Sequence, residues 1–455
     1  MPLDQAYSEP DSGGEPLGGH PFPWYKACFV GDVVELEATP KGPAGPKRAS
    51  SKKQPQRRLG RRSRTALVLG GGGFTGGVYE IGALRALDLL SVNRTVNDFD
   101  IYVGTSAGSF VASLLAAGMT PEEMSRVVNK QVPTPFHDVD LGALLRPNYA
   151  DFASRALLMP LRLAGLARSL AGRWREVSVM DVVTGLAEGL PAGIYTGSGI
   201  EKYIRDIFHE SDRSDDFRLL EPELYLAATD LDTCERIVFG SPDWDDVPIS
   251  RAVAASTALP MVYKPVDVRG RQLIDGGIRS TTNIDIAVER GAKFIVVVNP
   301  LVPYVNDFQK RIPTIFGSRV RRVSDMGYPQ VGYQAFKLLA HARLHERVKH
   351  WRENYPGVDI ILIEPDPKDE LMFGTSIMNY SSRIEIARHG FESVTLRLAQ
   401  DYRHYKEICE KHGIEISARR VQKILRQADE QREKTTAWRR IFEQTTGALL
   451  RQSGN

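Results

Sequence analysis

A strand, a glycine-rich turn and a helix, followed by a second strand that ends in G-x-S-x-G, constrain the fold more than any other part of the chain. The apolar spacing predicts a strand over residues 65–69 and a helix over residues 79–90. In the second segment, Ser106 lies between Gly104 and Gly108 at a predicted strand-to-helix turn. So tight a turn needs small neighbours and lifts the serine oxygen out of the sheet. The pattern therefore predicts a nucleophile elbow at Ser106.

The glycine run after the first strand allows more than one interpretation. Gly71, Gly73 and Gly76 match G-x-G-x-x-G after a strand, which is also the pattern of a dinucleotide-binding turn. That fold expects an acidic residue at the end of the second strand, where this chain has the elbow. No Lys-Ser or Lys-Thr pair follows the glycines, which argues against a P-loop. The amides of Gly71, Gly72 and Gly73 are predicted to form an oxyanion hole; the alternative is a tight turn that packs the helix on its strand.

Asp275 is the second candidate catalytic residue. It follows a predicted strand over residues 272–274 and precedes Gly276 and Gly277, which give the backbone freedom to turn. A carboxylate there is expected to lie over the carboxyl edge of the sheet, onto which the elbow opens. The alternative is an Asx-turn, which Asp-Gly commonly forms.

Neither the histidines nor the other acids predict a base or a metal site. All nine histidines lie in the tail or in polar and charged sequence, and none has a clear strand-end setting. His345 precedes Glu346, but the second histidine of a zinc-binding helix is missing at the motif's spacing. Asp230 and Asp232 are interpreted as turn residues because no histidine or third acid lies near them in sequence. The sequence therefore predicts no metal ligands.

Three separate blocks of sequence occur in the order that is typical of one known family. They are Leu67-Val68-Leu69 with the glycine run and Ile81-Gly82-Ala83-Leu84; Gly104-Thr105-Ser106-Ala107-Gly108; and Ala255-Ser256-Thr257-Ala258-Leu259-Pro260 leading to Asp275-Gly276-Gly277. Together they resemble the patatin-like phospholipase family, from about residue 65 to about residue 300 and at the strand near Ile361. Three blocks in one order are far more specific than any one of them.

The resemblance implies a fold, a mechanism and a substrate class. The fold is a three-layer α/β sandwich with a mostly parallel central sheet, and the alternation of strands and helices independently predicts a parallel sheet covered on both faces. The implied mechanism is a Ser-Asp dyad, in which Asp275 takes the proton of Ser106 and an acyl-enzyme forms on the serine. The implied substrates are fatty acyl esters of phospholipids or neutral lipids, with no metal or organic cofactor.

One departure from the family pattern keeps two alternatives open. The family's glycine block usually carries an arginine or lysine just before its last glycine, in a shorter spacing. This chain has Phe74-Thr75-Gly76-Gly77 there, without a cation. A catalytically weak lipid-binding scaffold is therefore one alternative. The other is a transacylase, in which an alcohol other than water resolves the acyl-enzyme.

Charge and pattern divide the chain into three predicted parts. Residues 1–64 are predicted as a disordered basic tail, residues 65–365 as the catalytic domain and residues 366–455 as a charged helical extension. Ten lysines and arginines fall within residues 41–64 without one acid, which exceeds the +3 of the whole chain. Such a tail is expected to favour an anionic lipid surface. Nucleic acid is a less favoured partner, and a solvated linker is the alternative.

Residues 141–177 form a predicted helical insertion in the catalytic domain. The segment mixes leucines with arginines, acids are nearly absent, and Pro160 is expected to break it into two amphipathic helices. Such helices can lie in a lipid headgroup layer or cover an acyl groove as a lid. The alternative is a hairpin packed on the protein surface.

Composition limits where such a protein can act. The chain has 455 residues and three scattered cysteines, which indicate neither a disulfide framework nor a zinc pattern and favour a reducing compartment. No apolar run reaches the roughly 18–20 residues that span a bilayer, and the N-terminus lacks the order of a signal peptide. The sequence therefore predicts a cytoplasmic protein with at most peripheral membrane contact. It indicates no oligomeric state.

Overall fold

The described part of the chain begins at Ser63. The computed structural model describes residues 63–129, 145–171, 189–210, 213–306, 319–374 and 380–423, with the short pieces 178, 187, 312–313 and 426. Nearly all of the predicted basic tail, both ends of the predicted insertion and the end of the predicted helical extension therefore lie outside the described residues.

The described residues contain one large sheet and two small ones. The strands are β1 (Thr65–Leu69), β2 (Ile101–Thr105), β3 (Arg146–Pro147), β4 (Gly193–Thr196), β5 (Glu223–Asp230), β6 (Arg236–Phe239), β7 (Met261–Tyr263), β8 (Val266–Val268), β9 (Arg271–Asp275), β10 (Phe294–Val298), β11 (Ile312–Pro313), β12 (Arg319–Val320) and β13 (Asp359–Ile363). The large sheet has eight strands in the order β13-β10-β1-β2-β5-β9-β8, with β6 also paired to β5.

Most strand pairs of the large sheet are parallel. Strands β13, β10, β1, β2 and β5 are parallel neighbours. The other three strands, β6, β8 and β9, pair antiparallel at one side. The prediction of a mostly parallel sheet is confirmed, and the carboxyl ends of β1, β2, β5, β10 and β13 meet at one edge.

Helices cover both faces of this sheet. They are α1 (Gly73–Leu90), α2 (Ala107–Ala116), α3 (Pro121–Asn129), α4 (Tyr149–Ala171), α5 (Ser198–Glu210), α6 (Ile249–Ser256), α7 (Ile284–Glu289), α8 (Tyr328–Lys349), α9 (Trp351–Asn354), α10 (Glu370–Gly374), α11 (Arg383–Gln400) and α12 (Tyr402–Lys411).

Successive residues of β1 enter two different cores. Leu67 and Leu69 belong to a core with α1, α2, α6 and α11, whereas Ala66 and Val68 belong to a core with α7 and α8. A strand that buries both faces needs apolar residues throughout, which the sequence Thr-Ala-Leu-Val-Leu provides. The predicted three-layer architecture is therefore confirmed.

Two glycines allow α1 and α11 to approach each other closely. A Cβ atom on Gly82 would lie 2.2 Å from the carbonyl oxygen of Ala387, and one on Gly390 would lie 2.5 Å from that of Tyr79. Neither atom could be added without moving a helix. The contact brings α11, which belongs to the predicted C-terminal extension, into the same core as α1.

Helix α1 begins at Gly73, not at residue 79 as the sequence predicted. Glycine is a weak helix former, so the glycine run favoured a turn. In the folded chain this first helical turn packs against Pro300, whose Cγ would lie 3.1 Å from a Cβ on Gly76. Tertiary packing therefore decides the start of this helix.

The prediction that Pro160 breaks the insertion into two helices is wrong. Helix α4 runs continuously through it from Tyr149 to Ala171. A proline removes the hydrogen bond to the carbonyl of the residue four positions earlier. That residue, Ala156, is exposed, so its carbonyl can bond to water instead. Within the described residues no helix is both long and apolar enough to cross a membrane.

Candidate active site

Ser106 occupies the turn between β2 and α2. Its backbone has φ 55° and ψ −125°, a strained conformation for a residue with a side chain. A Cβ on Gly104 would lie 2.5 Å from the Cα of Ser109, and one on Gly108 would lie 2.4 Å from the carbonyl oxygen of Leu69. The two glycines therefore permit the close packing that holds the serine in this conformation.

Two side chains outside the G-x-S-x-G block support the elbow. The Oγ of Ser256 accepts a hydrogen bond from the N–H of Ser106 (3.0 Å) and donates one to the carbonyl of Ala227 (2.6 Å). The Nδ2 of Asn283 donates to the Oγ1 of Thr105 (2.9 Å). Ser256 and Thr105 lie in blocks quoted for the resemblance, whereas Asn283 lies outside them, and none of the three was assigned a role from the sequence.

Ser106 and Asp275 are in direct contact although 169 positions separate them. The Oγ of Ser106 donates a hydrogen bond to the Oδ2 of Asp275 at 2.5 Å, and both residues are buried. The Oδ1 of the same carboxylate accepts the N–H of Gly277 at 2.7 Å. The contact with Ser106 and the alternative Asx-turn therefore coexist, since each uses one oxygen of the Asp275 carboxylate.

Asp275 reaches the serine from an antiparallel strand. We expected it at the carboxyl edge of a parallel sheet, but β9 runs antiparallel to β5. Asp275 pairs with Ala228, and the neighbouring Ala227 pairs with Thr105, directly before the serine. The carboxylate therefore lies at the level of the elbow because β9 ends there.

Burial changes the basicity of this carboxylate. Removal from water raises the pKa of Asp275 to about 6, although the hydrogen bonds from Ser106 and Gly277 act in the opposite direction. An ordinary carboxylate with a pKa near 4 is a weak base. The raised pKa brings Asp275 closer to the range that suits a general base at neutral pH.

The N-termini of α1 and α2 lie beside Ser106. The N–H of Gly71 is engaged with the carbonyl of Thr281 at 3.3 Å, so it is the least suited of the three predicted oxyanion donors. Within the described residues, the N–H groups of Gly72, Gly73 and Ala107 have no hydrogen-bond acceptor. They lie at the starts of α1 and α2, where unpaired amides and the helix dipoles favour negative charge.

An apolar cavity surrounds the serine and the aspartate. It encloses roughly 150 Å³, and both Ser106 and Asp275 line it. Its other walls are mainly aliphatic and aromatic, and include Phe74, Ile81, Phe110, Leu259, Tyr333 and Phe336. Such a lining suits a hydrocarbon chain next to the reactive hydroxyl.

One family model matches the part of the chain that contains Ser106 and Asp275. Residues 67–288 match the model of the family described as patatin-like phospholipase. Residues 67–288 form a patatin-like phospholipase domain. The match includes β1, the elbow and Asp275, and ends within α7, so helices α8 and α11 lie beyond it.

Curated relatives match about half of the chain. YqhO of Bacillus subtilis is 25% identical over 223 residues, which are 46% of this chain and 64% of YqhO. The probable lipid hydrolase 463L of Invertebrate iridescent virus 6 is 23% identical over 229 residues, which are 49% of this chain and 63% of that protein. The match therefore covers less than two thirds of either relative.

Solved structures resemble the chain at a low level. VipD from Legionella pneumophila gives a TM-score of 0.34 at 14% identity and covers 75% of this chain and 67% of its own. Human GIVD cytosolic phospholipase A2 gives a TM-score of 0.30 at 12% identity, and the match covers 77% of this chain and 59% of the phospholipase chain. The description of the fold therefore rests on the strand pairing of this chain.

The histidines of the described residues do not contact the pair formed by Ser106 and Asp275. None of them is among the residues that line the cavity around Ser106. His345 contacts the carboxylate of Glu364, and His389 contacts that of Asp369.

Asp230 lies at a turn at the end of β5, where its Oδ1 accepts the N–H of Asp232 at 3.0 Å.

A second cavity, of roughly 260 Å³, adjoins the first. The two share three lining residues, which are Gly277, Thr281 and Phe336. Arg279, Arg343 and Arg347 also line the second cavity. The guanidinium of Arg343 donates to the carbonyl of Ile278 at 3.3 Å, and that of Arg347 donates to the Oγ of Ser280 at 3.4 Å. The sequence did not predict this cluster, since two of its arginines belong to α8, outside the patatin-like domain.

Proposed function

We propose that the chain is a lipid acyl hydrolase that cleaves fatty acyl esters through Ser106 and Asp275. The observation that carries this proposal is the 2.5 Å contact between the Ser106 Oγ and the Asp275 Oδ2 beside an apolar cavity. The patatin-like domain and the relative named as a probable lipid hydrolase support a lipid ester as the substrate. The proposal is for the whole chain, of which these matches cover about half.

The proposed reaction has two halves. The Ser106 Oγ attacks the ester carbonyl carbon while Asp275 takes its proton, and the protonated Asp275 then gives that proton to the departing alcohol. Water next attacks the acyl-enzyme, Asp275 takes one of its protons, and the fatty acid leaves as the proton returns to Ser106. Atoms and charge balance without a metal or an organic cofactor.

The charge that forms on the carbonyl oxygen needs donors that are already in place. The amides of Gly72, Gly73 and Ala107 are our proposed oxyanion hole, because they line the cavity and have no acceptor in the described residues. Gly71 contributes its small size instead, since a Cβ there would lie 3.3 Å from the Cβ of Ser106. Donors fixed before the reaction stabilise the transition state without reorganisation.

A fluorophosphonate probe tests this proposal against a silent lipid-binding scaffold. The probe forms a covalent bond to an activated serine, so we expect label on Ser106, identified by peptide mass. An unlabelled chain under several lipid conditions would support the scaffold. The transacylase alternative shares the acyl-enzyme and would be recognised by acyl transfer to an added alcohol in place of fatty acid release.

Helix α4 is our proposed contact with the lipid surface. It presents large apolar side chains to solvent, with Leu157 80% and Leu161 72% exposed. Arginines such as Arg155 and Arg162 lie on the same helix. An apolar face with cationic neighbours suits the layer between headgroups and acyl chains. A lid function would use the same face.

The double variant Leu157→Glu with Leu161→Glu is expected to lower activity on aggregated lipid at least about tenfold, because charge opposes insertion into the acyl layer. Activity on a short soluble ester is expected to stay near the level of the unsubstituted chain. The measurement is the ratio of the two rates. Leu219→Glu is the matched control, since Leu219 is 69% exposed but lies outside α4. An unchanged ratio in the double variant would refute the interface.

The arginine-lined cavity favours a phosphate-bearing ester over a neutral lipid. Its three guanidinium groups lie next to the cavity that holds the dyad, and guanidinium groups bind phosphate through paired hydrogen bonds. These arginines offer the cationic character that the glycine-rich turn lacks. We therefore propose that phospholipid headgroups occupy this cavity while the acyl ester lies beside Ser106.

Arg343→Gln is expected to raise the KM for a phospholipid about tenfold, the usual cost of one charge-assisted hydrogen bond. The KM for an acylglycerol with the same acyl chain is expected to change less than twofold, as it has no phosphate. Steady-state kinetics on both substrates in mixed micelles measures the difference. Arg352→Gln is the control, because Arg352 is exposed on α9 and does not line the cavity. Equal effects on both lipids would remove the headgroup assignment.

A further inference from the structure

A second group of chemically active side chains lies outside the proposed catalytic machinery. His341 and His345 are four positions apart on α8, so one turn of helix separates them and they share a face. Their ring centroids are 3.9 Å apart. Glu364, directly after β13, faces both rings, and one ligand atom from each of the three residues lies within 4.8 Å of the others.

The distances within this cluster match those of metal ligands. The Nε2 of His345 lies 2.9 Å from the Oε2 of Glu364, and the Nε2 of His341 lies 3.9 Å from its Oε1. Ligands bonded at about 2.0–2.1 Å in a tetrahedral site stand roughly 3.3 Å apart. The two observed distances lie on either side of that value, and all three ligand atoms lie within 4.8 Å of one another, so the group is compact enough to surround one ion.

The surroundings of the cluster orient its ligands. His341 and Glu364 are buried, whereas the His345 side chain is 25% exposed and leaves a route from solvent. The Nδ2 of Asn299 donates to the Oε1 of Glu364 at 2.7 Å, as outer hydrogen bonds commonly do for metal-binding carboxylates. The guanidinium of Arg397 also donates to the backbone carbonyl of Glu364 at 3.0 Å. Asn299, directly after β10, therefore holds the Glu364 carboxylate, and Arg397 of α11 holds the backbone of the same residue.

We propose that His341, His345 and Glu364 bind a divalent transition-metal ion, with Zn²⁺ as the best match. Two imidazoles and one carboxylate suit Zn²⁺ and its first-row neighbours, whereas Mg²⁺ and Ca²⁺ prefer sites made of oxygen ligands. The fourth position is left to water. The same residues could instead form a hydrogen-bonded network without a metal, which is the competing outcome of the test.

The location of the site points to a structural role in shaping the substrate cavity. Tyr333 and Phe336, which line the cavity, belong to the same helix as the two histidines. Glu364 follows β13 and Ser106 follows β2, three strand spacings away, or roughly 14 Å at about 4.8 Å per spacing. An ion there is too distant to act on the ester. It would fasten α8 to the end of β13 and so fix one wall of the cavity.

Metal binding by the Ser106→Ala chain tests the proposal without any need for turnover. After dialysis against a chelator, Zn²⁺ or Mg²⁺ is added, and bound metal and the unfolding temperature are measured. We expect one tightly bound Zn²⁺ per chain and an unfolding temperature higher by about 3 °C or more, because the ion binds the folded state. Mg²⁺ is expected to do neither.

Two variants assign the binding to the cluster. His341→Gln with His345→Gln is expected to lose both effects, whereas His350→Gln is expected to retain them. His350 serves as the matched control because it directly follows the same helix, and its ring contacts the exposed carboxylates of Glu346 and Glu353 instead of Glu364. The metal site would be refuted if the double variant bound as much Zn²⁺ as the Ser106→Ala chain, or if the Ser106→Ala chain bound none. Either result would favour the hydrogen-bonded network.

A spectroscopic readout keeps the proposal testable if the double variant does not fold. Co²⁺ in a site of low coordination number absorbs visible light far more strongly than hydrated Co²⁺. The parent chain with one equivalent of Co²⁺ is expected to give this absorption, and added Zn²⁺ to remove it. A spectrum of hydrated Co²⁺ alone would contradict the proposal. A failure here would leave fluorophosphonate labelling of Ser106 in the unsubstituted chain unaffected, so the two proposals stand or fall separately.

Discussion

Asp275→Asn is expected to lower kcat on a lipid ester about 10³-fold or more, because the asparagine amide cannot accept the proton of Ser106. General bases typically contribute about 10²–10⁴-fold, and the shape of the residue is conserved. Asparagine can still accept the N–H of Gly277, so the turn at this position should persist. Steady-state turnover and circular dichroism would establish both points together.

The unsubstituted chain is expected to show a matching pH profile. Only ionised Asp275 can accept a proton, and its pKa is raised to about 6 by burial. The value of kcat/KM should therefore rise with pH, reach half of its maximum near pH 6 and level off above. Asp267→Asn, on the neighbouring strand β8, is the control and should keep the profile, because Asp267 is exposed and does not line the cavity. A profile with no rise in this range would contradict the role of Asp275.

Asp275→Asn is also expected to make the fold more stable at neutral pH. The pKa of Asp275 rises from 3.8 to about 6 on folding, so the native state binds its proton more tightly than the unfolded chain. Stability from this group is fully present below about pH 4 and is lost as pH rises through 6. Asparagine removes this loss, worth at most about 3 kcal/mol at pH 7. Thermal unfolding of both chains at pH 4 and pH 7.5 measures it, and an equal difference at both values would contradict the linkage.

Ser106→Ala is expected to abolish both turnover and fluorophosphonate labelling, with a loss of rate of at least about 10⁴-fold. Among the residues that the structure describes, the Ser106 hydroxyl is the one that donates to Asp275, so no second hydroxyl there is placed to act as the proposed nucleophile. Quantified label by mass spectrometry and fatty acid release provide the two measurements. The hydroxyl of Ser106 makes its side-chain hydrogen bond to Asp275, so the remaining packing should be retained.

Ser113→Ala is the matched control for this loss. Ser113 also lies in α2 and is buried, but its hydroxyl donates to the carbonyl of Phe110 at 2.8 Å and does not line the cavity. It is expected to keep both activities at the level of the unsubstituted chain. Label on the Ser106→Ala chain equal to that on the parent would show that the probe reacts elsewhere and that the elbow is not the reactive site.

Much of the fold could be predicted from local pattern. The bounds predicted for β1 agree with the structure, and the strand predicted over residues 272–274 lies within β9, because a buried strand needs an apolar sequence that can be recognised locally. The start of α1 could not be predicted in this way. Its glycines are accepted because of Pro300 and α2, which are distant in sequence, and intrinsic propensity therefore gave the wrong boundary.

The candidate site could be predicted only where its residues belong to recognisable blocks. Ser106 and Asp275 each lie in a short motif with glycines, and the structure brings them together. Tyr333 and Phe336 carry no such signal, because an aromatic residue on a helix is usually part of a core. The spacing of His341 and His345 was visible in the sequence, but their shared carboxylate, Glu364, lies on a different element.

The close contact of α1 with α11 has a consequence for how the protein can be shortened. Residues 67–288 match the family, yet α11 lies about a hundred positions further on and packs directly on the helix that starts at the glycine-rich turn. A fragment that ends at residue 288 would lack α11 and would expose the face of α1 that α11 covers. Such an exposed apolar surface favours aggregation. Recombinant work on this chain should retain at least residues up to 423, and a trimmed version should be regarded as a different molecule.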